Sequence, residues 1–117
     1  MLVHLGYVAL GGALGSVLRA LLGMVVAFPF GTLGVNVLGS FLIGVAFASG
    51  FAERSAAHPF LMLGVLGGFT TFSTFSLDAL KLVQAGQGGA ALGYVLASVL
   101  LSVLAVWLGY VAAGRWA

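Results

Sequence analysis

One segment of the chain combines features that are unfavourable in a helix facing lipid. Residues 67–76 read Gly-Gly-Phe-Thr-Thr-Phe-Ser-Thr-Phe-Ser, so five hydroxyls and three phenylalanines occupy the eight residues after a glycine pair. Hydroxyl groups in the hydrocarbon core need hydrogen-bond partners, and paired glycines loosen a helix. We therefore expect this segment to face protein, or a polar species that enters the membrane, rather than acyl chains.

The chain around this segment is too apolar for a soluble domain. Of its 117 residues, 62% are hydrophobic and 5% are charged, whereas about a quarter of the residues in a soluble domain are charged. A membrane span needs about 20 mostly apolar residues, so we predict a single four-span transmembrane domain over residues 1–117. The formal charge of +2 is too small to indicate nucleic-acid binding, and there are no cysteines for disulfides or thiolate metal sites.

Turn residues and charges divide the chain into four apolar runs, which predict an all-α membrane protein. Span three is expected to break near Gly67-Gly68, where the glycine pair interrupts it. The predicted spans are Leu2–Phe28, Thr32–Phe51, Phe60–Val83 and Leu92–Ala113.

The basic residues do not decide the orientation of the chain in the membrane. With four spans, the termini and the second loop share one side, which holds Arg54 and Arg115, while Lys81 and Arg19 belong to the other side. Two charges against two give the positive-inside rule no preference. This tally fits a sample too small to be informative, and it equally fits dual topology, in which copies insert in both directions and pair antiparallel.

Three of the predicted spans carry a polar or polar-aromatic stripe at helical spacing, so each stripe occupies one face. Any single stripe could reflect ordinary packing, hydroxyls bonded to their own helix, or an asparagine that joins two helices. Three stripes together favour a shared polar path. They are Thr32, Asn36, Ser40 and Gly44 on span two; Phe69, Phe72 and Phe75 with Thr70, Thr71, Ser73 and Thr74 on span three; and Tyr94, Ser98 and Ser102 on span four.

The chemistry of these stripes is that of neutral hydrogen donors. No carboxylate, histidine or lysine lies at the centre of a predicted span, which disfavours proton-coupled transport, and no nucleophile–base pair indicates an enzyme. Hydroxyls, an amide and the edges of aromatic rings suit a small anion, because they replace its water without trapping it. The break in span three could bare carbonyls for one buried cation, or it could be a simple kink.

The chain resembles the fluoride-specific channels of the Fluc, or CrcB, group over essentially its whole length. The resemblance rests on Gly11-Gly12 to Arg19, on Gly31-Thr32-Leu33 through Asn36 and Gly39, and above all on the segment from Gly67 to Phe75. It implies passive fluoride export by an antiparallel, dual-topology homodimer with two pores and a central sodium ion. It also implies a location in the inner (plasma) membrane of a bacterial cell.

Carried onto this chain, the resemblance implies a role for each matching residue. Phe72 and Phe75 would contact fluoride through their ring edges, and Asn36 would be a donor in the pore. The carbonyls of Gly67 and Thr70 would bind sodium, and Arg19 would lie near a pore vestibule. The remaining residues implied for the polar track are Ser73, Thr74, Ser98, Ser102, Thr32 and Tyr94.

Two other functions compete with this interpretation. A small multidrug exporter also has about four short spans, but it needs a carboxylate in span one, and Leu2–Phe28 contains none. A membrane protein that transports nothing would use the polar stripes only for helix packing. A fluoride-efflux assay on the reconstituted protein separates this second alternative from a channel.

Overall fold

A computed structural model describes residues 1–49, 58–70 and 72–114, and these contain four helical regions long and apolar enough to cross a membrane. This confirms the four predicted spans. The end predicted for span two at Phe51, together with Arg54 and Arg115, lies outside the described residues. The elements are α1 (Leu2–Val25), α2 (Phe30–Ala48), the π-helix π1 (His58–Leu66), α3 (Gly67–Phe69), α4 (Phe72–Gln84) and α5 (Gly88–Gly114).

Span three is broken as predicted, but the break follows the glycine pair instead of coinciding with it. The pair lies in α3, and the backbone becomes extended only at Thr70, with φ −86° and ψ 154°. Gly68 is needed for packing, because a Cβ added there would lie 2.7 Å from the carbonyl oxygen of Gly12. Gly68 therefore also allows α3 to approach α1, a role that was not predicted.

The small residues of α1 pack within the chain, against π1 and α3. A Cβ at Gly64 would lie 2.8 Å from the Gly11 Cα, and a Cβ at Gly15 would lie 2.8 Å from the Phe69 nitrogen. Real Cβ atoms do not approach so closely, so the two backbones are in direct contact. Gly11 and Gly15, which lie four residues apart and form a small-xxx-small pattern on span one, therefore make a close helix contact within the chain.

A second close helix pair joins α2 to α5. A Cβ at Gly44 would lie 3.0 Å from the Tyr110 nitrogen, and one at Gly109 would lie 3.1 Å from the Val45 nitrogen. The other half of span three, α4, packs on α5 through a core of buried side chains: Phe75, Leu82, Ala91 and Tyr94. The break thus divides span three between two partners, with π1 and α3 on α1 and with α4 on α5.

The ends of α1 and α4 lie at the same side of the molecule. The Lys81 Nζ is 5.9 Å from the centre of the Phe28 ring, so the α1–α2 turn and the α4–α5 turn are neighbours. Gly86, in the second of these turns, has φ 79°, a conformation that glycine adopts without strain. Four spans with alternating direction require this arrangement.

Candidate ion-conducting groove

Three helices and the break in span three surround one polar groove of about 360 Å³. Part of the polar stripe of α2 and part of that of α5 line it, and two phenylalanines of α4 form another wall. We call it the polar groove. Its lining residues are Asn36, Gly39, Ser40, Ile43, Thr70, Phe72, Phe75, Ser98, Val99 and Ser102.

Ser98 is the most informative residue of the polar groove. It is 4% exposed, and within the described part of the chain its Oγ has no hydrogen-bond partner. An unsatisfied buried hydroxyl destabilises a protein by about 1–3 kcal/mol. Water or an ion that enters the groove would satisfy this hydroxyl, so Ser98 is a candidate contact for such a species.

The aromatic wall of the groove has one fixed ring and one ring that projects from the chain. The centroids of Phe72 and Phe75 are 5.5 Å apart with an angle of 52° between the rings, and Phe75 lies 5.3 Å from Tyr94. Phe75 is 8% exposed, so its ring is held by the core, whereas Phe72 is 78% exposed. The outer boundary of the groove is therefore open on the side of Phe72.

A buried carboxylate that was not among the predicted site residues lies beside Tyr94. The Tyr94 hydroxyl donates a hydrogen bond of 3.3 Å to Asp78 Oδ2, and Thr32 also hydrogen bonds to Tyr94. Asp78 is 5% exposed. Asp78 lies three residues after Phe75 and four before Leu82, so all three share the buried face of α4. That spacing is the signal by which Asp78 could have been found.

Arg19 contacts the broken segment of span three, and it is not among the residues that line the polar groove. Its Nε donates a hydrogen bond of 3.0 Å to the carbonyl oxygen of Gly68. The Leu66 carbonyl accepts both the Thr70 N–H at 3.0 Å and the Thr70 Oγ1 at 2.9 Å. Because a helix end leaves its last carbonyls without helical partners, the break concentrates backbone acceptors in one place.

The residues proposed from sequence fall into two groups. The polar groove brings together Asn36, Phe72, Phe75, Ser98 and Ser102, and Thr70 also lines it. Ser40, which the stripe on span two contained but which was given no role, lines the groove as well. Outside the lining lie Ser73 and Thr74 in the first turn of α4, Tyr94 with its partner Thr32, and Arg19 and Gly67 near the break.

Comparison with known proteins supplies independent information on the chain as a whole. A family model described as "CrcB-like protein, Camphor Resistance (CrcB)" matches residues 6–110. A protein of Rhizobium meliloti (strain 1021) named fluoride-specific ion channel FluC is 53% identical over 116 residues, covering 91% of this chain and 92% of the relative. A relative of the same name from Opitutus terrae is 51% identical and covers 92% of this chain and 89% of its own length. Another from Agrobacterium fabrum is 47% identical and covers 97% of this chain and 98% of its own length.

Proposed function

The chain belongs to the CrcB family, and from this membership we propose that it is a fluoride-selective channel through which fluoride leaves the cell passively, down its gradient. Relatives about half identical to it over nearly their whole length are named fluoride-specific ion channels. The family is one of ion channels, so the protein is a transporter and not an enzyme. The proposed setting is the inner (plasma) membrane of a bacterial cell.

The observation that supports this function most directly is the buried Ser98 hydroxyl in the polar groove. Fluoride gives up strongly bound water when it enters the membrane, and the route must return hydrogen bonds to it. Ser98 and Ser102 supply hydroxyls along one face of α5, and Asn36 supplies an amide from α2. None of these groups carries a charge that would hold the anion permanently.

The phenylalanines provide the narrow part of the proposed route. The edge of an aromatic ring carries a partial positive charge, so a tilted pair such as Phe72 and Phe75 can present ring edges to an anion. Phe75 is held between Phe72 and Tyr94 and has little freedom to move aside. We propose that this rigidity excludes chloride, which is larger than fluoride.

A second copy of the chain is proposed to complete the route. Phe72 lines the groove although 78% of it is exposed in one subunit, so the wall that would enclose an ion is missing on that side. An antiparallel homodimer with dual topology would supply this wall. The even distribution of Lys and Arg between the two sides supports insertion in both directions.

The break in span three fits a structural sodium ion at the centre of such a dimer. Hard cations prefer oxygen ligands, and the end of a helix bares carbonyl oxygens. No cluster of three or more His, Asp or Glu side chains occurs in the described ranges, so a metal there would depend on the backbone. The carbonyls of Gly67 and Thr70 would hold the ion, whose positive charge would offset the cost of an anion in a low dielectric.

Fluoride efflux from liposomes tests the function and the groove together. The purified protein is reconstituted into liposomes loaded with fluoride, and external fluoride is followed with an electrode. We expect rapid efflux for the wild type and about tenfold slower efflux for Ser98→Ala, since the loss of one hydrogen bond to an ion is worth about 1.5–3 kcal/mol. The matched control is Ser49→Ala, because Ser49 is exposed, its hydroxyl donates to the nearby Ala46 carbonyl, and it is not among the lining residues of the polar groove.

The possible results of this assay separate the two interpretations. An absence of efflux from correctly assembled wild-type protein would favour a membrane protein whose polar stripes serve helix packing. Efflux by Ser98→Ala at the rate of the wild type and of Ser49→Ala would show that fluoride does not pass Ser98. Chloride efflux, measured in the same liposomes, is expected to be far slower than fluoride efflux.

A further inference from the structure

Arg19 is a cation inside a membrane span, and its described hydrogen bond is to a neutral carbonyl. A charged side chain within a span is energetically costly, so it is retained where it has a function and a partner. The partner is Gly68 O, 49 residues away in sequence and 3.0 Å from the Arg19 Nε. Asp78, the buried carboxylate of α4, is instead bonded by Tyr94.

The acceptor of this bond lies at the end of a helix. The combined helix formed by π1 and α3 ends at Phe69, so Gly68 O is one of the last carbonyls, which have no partner in their own helix. The helix dipole adds a partial negative charge at this end, where a basic side chain is favourable. Arg19 therefore acts as a cap that α1 provides for the broken helix.

The same segment is held by close backbone contacts on two sides. Gly68 lies against α1, since a Cβ there would be 3.1 Å from the Gly12 Cα and 3.2 Å from the Ser16 Oγ. On the other side, a Cβ at Gly39 of α2 would overlap the Thr70 methyl group. The break is thus packed between α1 and α2. The hydrogen bond from Arg19 adds a contact that orients the Gly68 carbonyl.

We infer that Arg19 is a positioning residue of the break, which turns Gly68 O toward α1 and leaves the carbonyls of Gly67 and Thr70 to face a cation. For its sodium part this inference rests on the proposed function. Arg19 contributes here through the backbone and does not contact fluoride. It differs in this respect from a vestibule residue, whose charge would attract the anion to the pore entrance.

The test compares Arg19→Met with Lys81→Met, which also removes one positive charge but from an exposed position in the last turn of α4. The first measurement is hydrogen–deuterium exchange of the Thr70 amide, which is bonded to Leu66 O at 3.0 Å. The second is the sodium concentration that gives half-maximal fluoride efflux. We expect the exchange rate of the Thr70 amide and the half-maximal sodium concentration each to rise about tenfold in Arg19→Met, because this variant loses a hydrogen bond from a charged donor. In Lys81→Met, both quantities should stay within about twofold of wild type.

Each other result overturns a specific part of this inference. Unchanged exchange and unchanged sodium dependence in Arg19→Met would refute the positioning role, and equal shifts in both variants would show an effect of net charge alone. If wild-type efflux does not respond to sodium, the proposed cation fails, and amide exchange alone decides the role of Arg19. If Arg19→Met does not assemble, Arg19→Lys replaces it, since lysine keeps the charge without the Nε donor. A Thr70 amide that exchanges at the wild-type rate in Arg19→Lys would refute the inference.

Discussion

The polar groove has an apolar counterpart that shares α2 with it. This apolar groove has a volume of about 510 Å³, against about 360 Å³ for the polar groove. On α2, Asn36 and Ser40 line the polar groove, and Leu38 and Leu42 line the apolar groove. A shift of two residues turns a helix by roughly 200°, so the two pairs lie on nearly opposite faces. The full lining of the apolar groove is Leu18, Leu21, Leu22, Val25, Leu38, Leu42, Val65, Leu66 and Phe69.

The break in span three separates the two grooves. Phe69, the last residue of α3, lines the apolar groove, while the next residue, Thr70, lines the polar groove. The extended backbone of Thr70 produces this change of side within one residue. If fluoride follows the proposed route, available volume does not decide which groove it takes. The apolar groove is the larger, but it offers an anion no donors to replace water.

The largest effect is expected for a negative charge in the polar groove. Asn36→Asp should abolish fluoride efflux, because a carboxylate at this position repels an anion in a low dielectric. The measurement is electrode-monitored efflux from liposomes, with size-exclusion chromatography as the control for assembly. Robust efflux by this variant would mean that Asn36 serves only to join helices.

Loss of the aromatic wall is expected to have the next largest effect. Phe75→Ile and Phe72→Ile each remove a ring edge from the polar groove, and efflux should fall by roughly tenfold or more, about 1.4 kcal/mol or more in barrier height. Each variant should still assemble, because isoleucine remains apolar. An unchanged rate for Phe72→Ile would indicate that this exposed ring faces lipid in the assembled protein.

A smaller effect is expected where α2 meets the break between the grooves. A Cβ in Gly39→Ala would overlap the Thr70 methyl group, so the variant should unfold at a lower temperature, with a loss of about 1–3 kcal/mol, and conduct several-fold more slowly. Gly34→Ala is the matched control, since nothing lies within 4 Å of a Cβ at Gly34. Equal thermal stability of the two variants would contradict the close contact between Gly39 and Thr70.

The smallest effect on transport is expected in the apolar groove. Leu42→Ala shortens a side chain that is 40% exposed and lines only this groove, so fluoride efflux should stay within about twofold of wild type. The assay is the same efflux measurement, normalised to the amount of reconstituted protein. A tenfold loss would mean that the two grooves are not functionally distinct.

Much of the candidate site could be predicted because helical spacing is a local property. The recurrence of Asn36 and Ser40 on α2, and of Ser98 and Ser102 on α5, indicated which faces were polar before any contact was known. The role of Gly68 and the burial of Asp78 were not predicted. A glycine that loosens a helix and a glycine that admits a neighbouring backbone look the same in sequence. The spacing of Asp78 from Phe75 and Leu82 indicates a buried face of α4, but it does not show that Tyr94 of α5 is the partner.

The sequence by itself determined that the chain crosses the membrane four times, that three spans carry polar faces, and that the third span is interrupted. These properties follow from hydropathy and periodicity within each segment. Only the tertiary structure decided that the faces of α2 and α5 meet in one groove and that Arg19 reaches Gly68 across 49 residues. Such contacts depend on how closely the helices approach. The helices can approach closely because Gly44, Gly64 and Gly68 have no side chain.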